Sequence, residues 1–136
     1  MPNFSEFTAH IKLIEALETR AKPIYCAEDY ILFSQGEPPR GIFIIRRGEV
    51  SLTMNAMTGE QLLSLDAGAG SLLGLPGVVA NEPYSLTATA QQGSEISFVA
   101  NADFEEIIRT DPFISLGVCQ VLAAEVRTAR RALAGL

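Results

Sequence analysis

Apolar positions along the chain change rhythm twice. Phe4, Phe7, Ile11, Leu13, Ile14 and Leu17 fall near helical spacing, and Ser5 is placed to cap. They predict an N-terminal helix over Phe4 to Ala21, broken at Lys22-Pro23, where proline removes a donor and disfavours helix at the residue before it. From Pro23 to about Val99 the pattern becomes short apolar runs: Tyr30 to Phe33, Gly41 to Ile45, Val50 to Met54, Gln61 to Leu65, Ser85 to Ala90 and Glu95 to Val99. These runs predict strands, with turns at Gln35-Gly36, Arg47-Gly48, Thr58-Gly59 and Gln92-Gly93. Strict alternation puts Val50, Leu52 and Met54 on one face of a half-buried strand. Helical texture then returns. Phe104, Ile107 and Ile108 form a stripe over Ala102 to Arg109, with Asp103 or Asn101 as cap, and Asp111-Pro112 opens a last helix that Gly135 ends. Along that helix Ser115, Cys119, Leu122, Val126, Ala129 and Leu133 recur at spacings of four and three, the rhythm of a seam between two helices.

Helix, glycine-punctuated strands, then two helices define an α+β chain. The 136 residues suit one domain with one core: an N-terminal helix (1–22), a strand segment that reads as a sandwich, roll or barrel (23–100) and C-terminal helices (101–136). Hydrophobic residues make up 48% and charged residues 19%, the composition of a packed protein. A net charge of −6 provides no positive field for nucleic acid. The basic cluster Arg127, Arg130 and Arg131, set against Glu125, reads as a solvated helix face. Cys26 and Cys119 lie far apart, outside any CxxC pair, and His10 is the single histidine, so no metal cluster can be assembled. Both cysteines are expected as buried thiols and His10 at the surface. The start lacks a basic, apolar leader and no apolar run reaches the length of a membrane span, so the expected location is cytoplasmic and no membrane partner is expected.

The string Gly36-Glu37-Pro38-Pro39-Arg40-Gly41-Ile42-Phe43-Ile44-Ile45-Arg46-Arg47-Gly48-Glu49-Val50 resembles the signature of the cyclic-nucleotide-binding domain, as in bacterial regulators of the catabolite activator and FNR family (CRP/FNR). Gly36-Glu37 before a turn, an aromatic in an apolar strand and Gly-Xaa-Val opening the next strand all match. Leu65 to Pro76 looks like the opening of that family's phosphate-binding cassette, Tyr84 to Ala90 its exit strand, and Ala102-Asp103-Phe104 with the long helix completes the likeness over Phe4 to Leu133. The resemblance implies an antiparallel β-roll (double-stranded β-helix, or jelly roll) with a cassette-like segment over 68–90.

In the family the cassette holds a cyclic phosphate through a helix N-terminus and backbone N–H groups, an arginine pairs with the phosphate, and a glutamate accepts from the ribose hydroxyl. Gly74 matches the cassette glycine, but Leu75 stands where the glutamate is expected and Tyr84 where the arginine is, with Ser85 at the hydroxyl position. No lysine or arginine lies between Arg47 and Arg109. The resemblance therefore implies a sensor or regulatory module, not an enzyme, whose site draws on Leu73, Gly74, Leu75, Tyr84, Ser85 and Thr87. Its ligand would be a cyclic nucleotide held without the usual ion pair, another small molecule, or none. The stripe of Cys119, Leu122, Val126, Ala129 and Leu133 either packs on the roll or forms the seam of a homodimer or of a protein partner for that helix. Where regulators of this family append a helix-turn-helix, this chain stops at Leu136, so the expectation is a module without its own DNA-binding domain and no direct nucleic-acid contact. Three alternatives stay open: a transcriptional regulator lacking or separated from its helix-turn-helix, a true cyclic AMP or cyclic GMP receptor, and a cupin-like enzyme, disfavoured by the single histidine.

Overall fold

The computed structural model describes the backbone of residues 11–134 and the side chains of all of these but Ala129, Ala132 and Leu133. Phe4, Phe7, Ser5, His10 and Gly135 lie outside the described residues. The order is α1 (Ile11–Glu18), β1 (Lys22–Tyr25), β2 (Tyr30–Phe33), β3 (Gly41–Arg47), β4 (Glu49–Asn55), β5 (Gln61–Gly68), β6 (Leu72–Leu73), α2 (Leu75–Ala80), β7 (Thr87–Ala90), β8 (Glu95–Ala100), α3 (Asn101–Thr110) and α4 (Pro112–Ala134). Two four-stranded antiparallel sheets, ordered β1-β8-β3-β6 and β2-β7-β4-β5, form the roll, as the resemblance implied.

Strand alternation sorts side chains between two apolar layers. Along β3, Phe43 and Ile45 point into the roll, where they meet Phe33, Val50, Leu52, Leu73, Tyr84 and Ala88. Ile42 and Ile44 point out, against Leu13 and Leu17 of α1, Phe104 and Ile107 of α3, and Ile114, Val118 and Val121 of α4. Phe43 sits between two other rings, with centroids 5.4 Å from Phe33 and 5.0 Å from Phe98. Outside these layers the termini of α1 and α3 are tied by Arg20, which pairs with Asp103 at 3.1 Å and Glu106 at 3.0 Å.

The four predicted glycine turns all carry positive φ, and one shows the reason plainly. Gly48 has φ 95°, and a Cβ there would collide with Ser94 Oγ, which bonds the N–H of Glu49 at 3.2 Å and so fixes the β3–β4 corner. Asp111 caps α4 as predicted: its Oδ1 accepts from the N–H of Phe113 at 3.0 Å.

The structure corrects several expectations. The N-terminal helix ends at Glu18, short of the expected Ala21, and Lys22-Pro23 opens a strand after an intervening turn. Proline is tolerated there because β1 is an edge strand paired only with β8. The segment after Ser71 contributes a two-residue strand and a short helix, neither long enough to leave a periodic signal. Neither Asn101 nor Asp103 caps α3: Ala100 holds that position, Asn101 Nδ2 donates to the Pro39 carbonyl at 2.7 Å, and Asp103 pairs with Arg20. Cys26 is buried, but Cys119 is exposed, because α4 turns that side away from both layers.

Candidate functional site

The site gathers where the mouth of the roll meets α4. It begins at Gly74, whose φ of 87° turns the chain from β6 into α2; a Cβ there would press on Tyr84 at 3.1 Å and on the Gly41 carbonyl at 3.3 Å. Within α2, Gly77 is needed because the chain folds back over it: Glu82 N–H donates to the Gly77 carbonyl at 2.9 Å, and Asn81, at φ 54°, makes the reversal. This return delivers Tyr84 to the interior.

Tyr84 is 2% exposed, and every polar group it carries is engaged. Its hydroxyl accepts from the N–H of Arg40 at 2.9 Å and of Gly41 at 3.1 Å, and donates to the Gly41 carbonyl at 2.7 Å. Its backbone bonds Gly36 and Glu37, while its ring stacks on Phe33 with centroids 4.1 Å apart. Glu37 secures the same loop by accepting from the N–H of Ser34 at 2.7 Å. One tyrosine thus ties the Gly36–Gly41 loop to the exit of α2. A buried hydroxyl so paired avoids the desolvation cost of an unpaired one.

Beside it lies a cavity of about 40 Å³, lined by Phe33, Leu52, Leu73, Gly74, Pro76, Gly77, Tyr84, Ser85, Leu86 and Glu125. It adjoins a cleft of about 200 Å³ between β4, β5 and α4, lined by Met54, Leu63, Leu65, Pro76, Ser85, Leu86, Leu122, Glu125, Val126 and Thr128. Leu73, Gly74, Tyr84 and Ser85, four of the six residues expected at the site, come together here. The other two lie elsewhere. Leu75 is 0% exposed and packs in the helical layer, and Thr87 Oγ1 accepts from the N–H of Gln35 at 3.0 Å.

Glu125 was not anticipated at the site; it read as part of a solvated face with the nearby arginines. Arg127, Arg130 and Arg131 are indeed exposed, but Glu125 turns toward the cleft, where burial pushes its carboxyl up to about 8. The sequence held a signal for it: from Pro112 to Val126, Glu125 is the single charged residue.

Of the seam residues, Cys119 is exposed, Leu122 packs partly against the helical layer, and Val126 is 49% exposed at the rim of the cleft. Ala129 and Leu133 lie on α4, with side chains outside the described set. The exposed apolar side of α4 runs through Phe113, Leu116, Cys119 and Val126. Among the described residues no cluster of histidine, cysteine or carboxylate is placed to hold a metal ion, and no single helix is long and apolar enough to cross a membrane.

Two antiparallel sheets closed by a cassette-like turn and flanked by a long C-terminal helix define a β-roll class of domain. The family model for the cyclic nucleotide-binding domain matches residues 24–111, and the chain belongs to that family. Among solved structures it is similar to the catabolite activator protein of Thermus thermophilus, with TM-score 0.78 and 20% identity over 91% of this chain and 58% of that one. It is also similar to a cyclic nucleotide-binding domain from Methylobacillus flagellatus, with TM-score 0.74 and 16% identity over 98% and 82% of the two chains. Oxidized CprK in complex with o-chlorophenolacetic acid gives TM-score 0.74 and 19% identity over 96% of this chain and 53% of that one. The chain thus spans little more than half the length of the catabolite activator protein and of CprK. Comparison with curated proteins finds no match.

Proposed function

We propose that this chain is a regulatory sensor domain of the catabolite activator and FNR type that does not hold a cyclic nucleotide through the family's arginine–phosphate pair. The observation that carries the reading is Tyr84. It stands where the family's arginine is expected, and its hydroxyl is spent on the backbone of Arg40 and Gly41, 2.7–3.1 Å away. Leu75, at the glutamate's position, is buried among the helices. The residues lining the cavity and cleft include no lysine or arginine. A phosphate there forgoes a charge-assisted hydrogen bond of ~1.5–3 kcal/mol, about tenfold to a hundredfold or more in affinity.

The ligand that does act is read by α4. That helix contributes Leu122, Glu125, Val126 and Thr128 to the cleft, so an occupant touches roll and helix together. A ligand binding one arrangement of the two more tightly than another shifts their populations, a non-enzymatic output. The exposed side of α4, through Phe113, Leu116 and Cys119 with Val126 at the rim of the cleft, pairs with a second copy of the chain and carries that shift across the dimer.

Isothermal titration and thermal melts with cyclic AMP, cyclic GMP and a cyclic dinucleotide test the ligand reading. Stabilisation below about 1 kcal/mol at ~1 mM nucleotide is expected. A Kd near ~10 μM, which would add about 2.7 kcal/mol at that concentration, overturns it.

A further inference from the structure

The cleft between β4, β5 and α4 has mostly apolar walls, with Ser85 and Thr128 as its uncharged polar residues, the Thr128 hydroxyl donating to the Ala124 carbonyl at 3.0 Å. Met54 and Leu65 come from the sheet, Pro76 from α2, Leu86 from the segment leading into β7, and Leu122 from α4. Into this apolar surface a single carboxyl projects, that of Glu125, which lines both the cleft and the inner cavity. The other titratable group facing this space is the Tyr84 phenol, already committed to the 40–41 backbone. From β4, β5, α2 and the Ser85–Leu86 segment no charged residue faces it.

We propose that this cleft binds an uncharged, apolar small molecule that presents a hydrogen-bond acceptor, such as a carbonyl oxygen, to the Glu125 carboxyl. The proposal rests on the reading that the site is not an ion-paired cyclic-nucleotide site, and deepens it by naming the ligand class. Three observations converge. An anion entering the cleft finds no cation and meets a carboxyl that repels it whenever ionised. An apolar molecule replaces water on leucine, methionine and proline surface, which is favourable roughly in proportion to the area covered. A carboxylic acid kept neutral by its apolar surroundings supplies one O–H donor, and an acceptor on the ligand satisfies it. Size narrows the class: about 200 Å³ lies below the ~300–1,000 Å³ of sites for drug-sized ligands, so the occupant is a small molecule of one or two rings.

The test uses a pair of probes of nearly equal shape, 2-acetylnaphthalene, a neutral ketone, and 2-naphthoate, an anion, titrated into the full chain by calorimetry and saturation-transfer NMR. At pH 6.5 the ketone should bind at least about tenfold more tightly than naphthoate. Raising the pH to 9.5, beyond the value near 8 at which Glu125 ionises, should weaken the ketone at least about fivefold, because only the protonated fraction donates. Glu125→Gln, which keeps a donor without a titrating proton, should bind the ketone equally at both pH values. Met54→Trp, filling the cleft from the sheet side, should lose binding while melting cooperatively. The proposal is overturned by equal affinity for the two probes, by no ketone binding at ~1 mM, by a pH response that persists in Glu125→Gln, or by ketone affinity that falls as protein concentration rises, which would make a second copy of the chain the occupant. Cyclic AMP titrated in parallel separates the two readings. Tight nucleotide binding sinks the reading of the site, whereas silence from both nucleotide and ketone sinks the ligand class alone.

Discussion

Tyr84 shows how one residue sets what a site can hold. In the sequence it is visible as a departure from a motif, an aromatic where a cation is expected. Its partners are not visible, since nothing local brings Arg40 and Gly41 beside a residue more than forty positions away. That proximity follows from Gly74, Gly77 and Asn81, which together turn α2 back on itself. Removing the hydroxyl leaves the buried Gly41 N–H and carbonyl short of a partner. Tyr84→Phe should therefore lower unfolding free energy by about 2 kcal/mol in urea melts with unchanged m. A loss below ~0.5 kcal/mol would mean that water replaces the hydroxyl and that the phenol is dispensable to the loop. Glu125 is the opposite case. As the one charge in an apolar helical run it was legible as unusual, but its direction was not, because helical spacing alone does not tell which side faces the roll.

At the scale of elements, the strands with regular alternation and glycine corners were readable in advance, as were the last two helices. What escaped was short or unpatterned. β1 contains a proline permitted by its edge position, β6 has two residues, and α2 begins Leu-Pro-Gly without a polar side to mark its period. The a/d stripe on α4 was legible as a pattern, but its division between the molecule's own helical layer and solvent was not. Leu122 falls to the inside, whereas Cys119 is exposed and Val126 stands at the rim of the cleft, 49% exposed. Phe113, Leu116 and Val126, each about half exposed, are costly to leave in water and suit a helix-to-helix seam. Leu116→Glu with Val126→Glu should convert a dimer to a monomer in sedimentation equilibrium without lowering helix content. A monomeric parent chain at ~100 μM would remove the seam from the account.

For the molecule as a whole, the buried carboxyl makes stability depend on pH in an unusual direction. Glu125 holds its proton in the folded chain up to about 8, against an ordinary value of 4.5, so between those values the folded state binds more protons than the unfolded one. Stability attributable to this group is present below about 4.5, declines as pH rises toward 8, and is flat beyond. The melting temperature should thus drop by roughly 10 °C between pH 5 and pH 8.5, and Glu125→Gln should flatten that slope. A wild-type profile that rises over this interval would show that the carboxyl is solvated.

The five residues Gly41 to Ile45 are buried without interruption, with Phe43 and Ile45 serving the interior of the roll and Ile42 and Ile44 serving the helices. One strand is therefore a wall common to two rooms. Neither layer can melt while the other stays intact, because disordering β3 from either side removes the floor of the opposite one. The two apolar clusters should therefore melt in one cooperative transition, with strand and helix signals coincident.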